Sequence, residues 1–214
     1  MKNSIYIVVF ILLSIFNYEK NHFYKDIHTL HNSTKINVLV NKNYKLKENY
    51  IPYDLVLLDT VYSLNNKYLR KEAKYFFELM AKDAKKEGYT IIIVSAYRSY
   101  EYQKKLFSSY VENKGYEYAL KCSAKEGHSE HQTGLAVDIA DASLDYDNFE
   151  FTKEFNWMKK NAYKYGFILR YPKAKYHITG FKYEPWHYRY VGIETAKYIY
   201  ENNLTLEEYK KEIK

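Results

Sequence analysis

The chain reads as a single α+β domain with a small central antiparallel sheet flanked by helices, and three observations predict this. Stretches with helical periodicity are interleaved with short β-branched runs. The intervals between them lack the regular strand–helix–strand rhythm of a parallel sheet. A length of 214 residues with 47% hydrophobic content is enough for one substantial core.

At the N-terminus, Lys2 precedes an uncharged, mostly apolar run of 13 residues from Ser4 to Phe16, and Glu19 and Lys20 then restore polarity. A membrane crossing needs about 20 residues, whereas the core of a secretory signal needs about 7 to 15. Residues 1–17 are therefore expected to be a signal peptide or, since Ile15, Phe16, Asn17 and Tyr18 make a poor cleavage site, an uncleaved signal anchor. With Lys2 ahead of the run and no larger basic cluster directly after it, the remainder is expected outside the cytoplasm, at the membrane face or in the wall. Residues 18–35 read as a polar tether whose His22, His28 and His31 fall on no clear element, and the domain is expected over 36–214.

Within that domain, Ala73, Phe76, Phe77, Met80, Ala81 and Ala84 recur at the spacing of an amphipathic helix over Arg70–Glu87, which Gly88 stops. Ile91 to Val94 form a β-branched run expected to be a strand buried on both faces. Ser99 opens a helix to about Asn113, so Tyr97 and Arg98 fall at a strand-to-helix turn where side chains meet ligands. A strand over Leu135–Ala140, a helix over Phe151–Tyr165 ended by Gly166, a late strand over Trp186–Val191 and two closing helices near 194–201 and 206–213 complete the pattern.

Composition limits the function classes. Lys+Arg 33 against Asp+Glu 26 gives a net charge of +7, which favours anionic surroundings. No helix-turn-helix, zinc-finger or RNA-recognition pattern is present, so no nucleic-acid partner is expected, and nothing points to a protein partner. A single cysteine, Cys122, permits neither an intrachain disulfide nor a cysteine-rich metal cluster. A metal site must then use His and carboxylates.

The stretch from Gly127 to Asp138 holds His131 and Asp138 seven residues apart. A loop running into a strand brings two such residues to one metal, with Gly134 permitting an unusual backbone turn. Imidazole nitrogen and carboxylate oxygen are good zinc donors, and three protein ligands leave a fourth position for water. Glu184-Pro185-Trp186-His187 supplies a third ligand and, three residues earlier, a carboxylate able to serve as general base. Pro185 argues against the helical H-E-x-x-H arrangement.

These residues carry a resemblance. Ser129-x-His131 through Gly134, Ala136 and Asp138, with Glu184-Pro185-Trp186-His187, resembles the VanY-type D-alanyl-D-alanine carboxypeptidases. Ser95-Ala96-Tyr97-Arg98-Ser99 with Gln103, and Gly166 to Pro172, extend the likeness across roughly 39–192. The resemblance implies an α+β domain with zinc in a surface cleft, a single Zn2+ held by His131, Asp138 and His187, and Glu184 as catalytic base. It also implies Arg98 at the tetrahedral centre, and Ser129, Gln103 and Tyr97 near the substrate. The expected reaction is removal of the terminal D-alanine from peptidoglycan stem peptides. L,D-carboxypeptidase or endopeptidase action on the same peptides, and a non-catalytic zinc-containing module, are the alternatives.

Overall fold

The protein is described here by a computed structural model covering residues 23–31 and 33–213. The apolar run at 4–16, and with it the expected signal segment, lies outside the described residues. Two small strand pairs come first: β1 (His28–Thr29) runs parallel to β2 (Tyr44–Lys45), and β3 (Leu55–Leu57) runs antiparallel to β4 (Tyr68–Arg70). The remaining elements are α1 (Lys71–Lys86), β5 (Ile92–Ser95), α2 (Tyr100–Lys114), α3 (Tyr116–Cys122), β6 (Ala136–Ala140), α4 (Lys153–Asn161), β7 (Phe167–Leu169), α5 (Tyr176–Thr179), β8 (His187–Tyr190), α6 (Ile193–Glu201) and α7 (Leu206–Glu212). The main sheet has the order β5-β6-β8-β7, and every pair in it is antiparallel.

The two-residue period of the strands divides this sheet into a core face and a site face. Ile93, Val137, Ile139, Phe167, Tyr188 and Tyr190 point to one side and join the apolar stripe of α1, where Ala73, Phe77, Met80 and Ala84 are fully buried. Burial of a side chain the size of Phe77 or Met80 contributes roughly 1.5–3 kcal/mol. The opposite face carries Ser95, Asp138 and His187 at facing positions of β5, β6 and β8. One face thus supplies stability and the other polar side chains on a rigid support.

Helix boundaries follow local chemistry. Ser99 caps α2 by accepting from the Tyr102 backbone N–H at 3.1 Å, and Thr205 with Glu208 forms a reciprocal capping box on α7. The segment expected as one helix over Phe151–Tyr165 is a regular helix only over α4, then tightens into a 3-10 turn, Ala162–Tyr165, closed by Gly166.

Two expectations are corrected. Ile92 and Val94 are half-buried rather than enclosed on both faces, because they alternate with buried Ile93 and lie on the opposite face of β5, where Val94 lines the cleft described below. The described part of the expected tether is not free either. The Tyr24 backbone N–H donates to Asn43 Oδ1 at 3.0 Å, its hydroxyl accepts from the Lys125 N–H at 3.2 Å, and β1 pairs with β2. Nearby, buried Lys42 donates to the Leu120 carbonyl at 2.6 Å and to the Gly180 carbonyl, with its ammonium 4.6 Å from the Phe181 ring.

Burial pushes the Lys42 amine down from 10.5 to about 8. Between those values the unfolded state binds more protons, so stability rises with pH across that window and the burden is full below it. Urea denaturation at about pH 7.5 and about pH 9.5 should show a gain of about 2 kcal/mol at the higher pH that Lys42→Met removes.

Candidate metal centre and cleft

His131 enters the site from a 3-10 turn, Glu130–Thr133, that leads into β6. Its Nδ1 lies 2.6 Å from the Ala96 carbonyl, which fixes Nδ1–H as the donor and leaves Nε2 turned inward, buried and without a hydrogen-bond partner. Gly134 ends the turn with φ +66°, and an added Cβ would lie 2.8 Å from Leu55 Cδ2 and 3.0 Å from Arg70 Cγ. Left-handed strain together with overpacking should make Gly134→Ala cost roughly 2–5 kcal/mol in chemical denaturation of the metal-free protein.

Asp138 on β6 faces His187 on β8 in strand register. Asp138 Oδ1 is 3.0 Å from His187 Nδ1 and 3.4 Å from His131 Nε2. One donor atom from each of the three residues falls within 4.8 Å of the others. Two imidazole nitrogens and one carboxylate oxygen form a donor set suited to zinc, and the unpartnered His131 Nε2 is the kind of buried atom a cation would satisfy. The residues present fit a single divalent ion.

Charge in the cluster is tightly coupled. Burial lowers the His131 imidazole, with the Arg98 guanidinium adding to the effect, to about 4. Burial would also lower His187, but its contacts with Asp138 and Glu130 carry it up to about 9. Burial would raise the Asp138 carboxyl, yet the two histidines hold it well below the usual carboxylate range. The carboxylates around His187 therefore favour a positive charge at the position a metal would take.

Glu184 lies in the turn before β8, its Oε2 3.8 Å from His187 Nδ1. Burial raises its carboxyl to about 7, with His187 opposing and Asp138 reinforcing the rise. Arg98 leaves β5 with its backbone N–H on the His131 carbonyl at 3.2 Å and Nη1 3.7 Å from Asp138 Oδ2, while its Nε is buried without a partner.

These groups open onto a cleft of about 540 Å³ that Ser129, Tyr146, Trp186 and Lys182 also line. Ser129 Oγ accepts from the His131 N–H at 3.3 Å. Two expected substrate contacts do not line this cleft. Gln103 is 1% exposed and donates to Ser123 Oγ at 3.3 Å and the Ala124 carbonyl at 2.7 Å, so it braces the cleft wall from behind. Tyr97 is half-buried beside Arg98 and, unlike Arg98, is not among the residues that line the cleft.

Sequence reasoning missed a buried ionic group behind the histidines. Glu130, Arg170, Arg189 and Glu207 are all within 7% exposure. Burial alone would raise Glu130, and Arg170 with Arg189 more than reverses this, holding its carboxyl well below the usual range. The available signal was Arg189, two residues after His187 and hence on the same face of a short, buried strand, since a cation there demands a buried partner.

Comparison with known proteins adds to this geometry. Residues 66–193 match a family model described as VanY, D-alanyl-D-alanine carboxypeptidase. The Bacillus subtilis protein YodJ is 48% identical over 195 residues, spanning 88% of this chain and 71% of that protein. The solved structure of LdcB, an LD-carboxypeptidase studied for peptidoglycan recognition, is 48% identical with a TM-score of 0.81, covering 86% of this chain and 90% of its own. The vancomycin-resistance D,D-pentapeptidase VanY, solved as a mutant in complex with Zn(II), is 33% identical with a TM-score of 0.71, covering 81% of this chain and 98% of its own.

Proposed function

This chain belongs to the VanY family of D-alanyl-D-alanine carboxypeptidases, and from that premise we propose that it removes the terminal D-alanine from peptidoglycan stem peptides. The convergence of His131, Asp138 and His187 in a cleft that Arg98 and Glu184 also line carries the reading. Those three residues would hold one zinc ion. Bound there, zinc would polarise the scissile carbonyl and lower the pKa of an attacking water toward ~7.

The chain's own residues supply the rest. Glu184, with its carboxyl near neutrality, takes a proton from the water as its oxygen attacks the carbonyl carbon. The same carboxyl then gives that proton to the amide nitrogen as the C–N bond breaks, releasing D-alanine and a shortened peptide carboxylate. Arg98 directs its guanidinium at the oxygen on which negative charge develops, where a fixed cation stabilises most. Ser129 is the remaining contact for the substrate's terminal carboxylate, its oxygen already committed to the His131 N–H and its proton left to donate.

L,D-carboxypeptidase action is the second reading, favoured by the 48% identity to LdcB. Product masses from muropeptides with pentapeptide and tetrapeptide stems separate the two: loss of one alanine from the pentapeptide alone supports D,D-action, and loss from the tetrapeptide supports L,D-action. The site of action is proposed to be the outer face of the membrane or the wall, on the strength of the apolar run at 4–16. Among the described residues no helix is long and apolar enough to cross a membrane. Fractionation that finds the intact chain in the cytosol would defeat this part.

A further inference from the structure

Behind the candidate metal ligands lies a chain of buried charges that reaches the C-terminal helix. Arg170 Nε and Arg189 Nη1 both donate to Glu130 Oε1, each at 2.8 Å. Arg170 turns its other two nitrogens to Glu207 on α7, Nη1 to Oε2 at 2.8 Å and Nη2 to Oε1 at 2.6 Å. Arg189 is itself fixed by donation to the Ile36 and Val38 carbonyls, both at 2.9 Å. Two carboxylates and two guanidiniums balance, so the group is neutral as a unit.

One atom of this group is left over. With Oε1 held by two guanidiniums, the Glu130 carboxylate cannot rotate, and its Oε2 is buried without a hydrogen-bond partner. It faces His187 Nε2 across 3.6 Å, and that nitrogen also has no hydrogen-bond partner. The other ring nitrogen, Nδ1, is the one turned toward Asp138. A carboxylate at Nε2 keeps the proton on that nitrogen and leaves the Nδ1 lone pair for a cation, and a bound cation in turn makes Nε2–H a stronger donor.

We propose that Glu130 is a positioning residue for His187, aimed by Arg170 and Arg189, and that Glu207 of α7, acting through Arg170, makes metal affinity depend on the C-terminal helix. The inference rests on the reading of His187 as a metal ligand. In its absence the same charges would serve only to hold α7 and the segment near 36–38 against the sheet.

The test is zinc affinity of the full chain, stripped with chelator and titrated against a competing indicator, for wild type, Glu130→Gln, Glu207→Gln and the double variant. Stability of each metal-free protein is measured separately by chemical denaturation. Glu130→Gln should weaken zinc binding roughly 10–100-fold. Glu207→Gln should weaken it less in the same direction, and should add nothing in the Glu130→Gln background, since both changes break one relay. The visible spectrum of the cobalt-substituted Glu130→Gln protein should shift, a change that loss of fold stability alone would not produce. Variants that bind zinc within about twofold of wild type while losing metal-free stability would overturn the relay and leave the group structural. Should Glu130→Gln not fold, Glu207→Gln decides by the same criterion. Wild type that binds no zinc would overturn the metal site itself, an outcome distinct from equal binding by all four proteins.

Discussion

Glu184→Gln should lower kcat roughly 10²–10⁴-fold, the span that a positioned general base contributes, while leaving zinc binding within a few-fold of wild type. The amide has nearly the size of the carboxyl, so the turn preceding β8 keeps its shape, and the Glu184 N–H to Tyr171 carbonyl bond at 3.2 Å is a backbone contact the substitution does not touch. What disappears is a group able to accept and return a proton. Its usefulness comes from burial, which lifts the carboxyl to about 7 and so lets it act as base and then acid within one turnover near neutral pH. Kinetics on a pentapeptide stem, with zinc content measured on the same sample, decide the matter. An unchanged kcat removes Glu184 from the mechanism.

Asp138→Asn should have the second large effect, here on metal rather than on proton transfer. The substitution preserves the side-chain shape in the middle of β6 but replaces the anionic donor set between His131 and His187 with a neutral amide. The loss in zinc affinity should exceed the 10–100-fold typical of residues that only support a ligand, and turnover should fall to background. Thermal denaturation gives a second readout. Zinc at about a thousand times its Kd stabilises a protein by about 4 kcal/mol, so chelation should lower the wild-type Tm and leave that of Asp138→Asn almost unmoved. Equal Tm shifts in the two proteins would show that Asp138 is not a ligand.

Much of the architecture could be read from residue pattern because local physics decides it. The α1 stripe, the Ser99 cap and the stops at Gly88 and Gly166 each express a preference that the tertiary structure leaves intact. The gathering of His131, Asp138 and His187 was legible for a different reason. Two of them lie on strands, one sits seven residues before its partner across a glycine turn, and antiparallel pairing of β6 with β8 brings the strand residues face to face.

What escaped notice depends on three-dimensional context. Whether Gln103 points into the cleft or behind it is set by its hydrogen bonds to Ser123 and Ala124. Ile92 and Val94 carry the composition of an enclosed strand but lie on the face that the fold leaves open as the cleft, a matter of tertiary packing that periodicity does not encode. The polar stretch from residue 23 owes its order to partners such as Lys125 and Asn43, distant or unremarkable in sequence. Glu130 adjoins a stronger candidate, and the guanidiniums that bind it, Arg170 just after β7 and Arg189 on β8, come from much later in the chain, as does Glu207 of α7, which binds Arg170.

The most direct single measurement is D-alanine release from a pentapeptide stem by chelator-stripped full-length protein as zinc is added back in known equivalents. Activity absent without metal, rising in proportion to added zinc and levelling at one equivalent, is the result expected of a one-zinc carboxypeptidase built on His131, Asp138 and His187. Release that is undiminished in the stripped protein, or a zinc-saturated protein that leaves both pentapeptide and tetrapeptide stems intact, would contradict it.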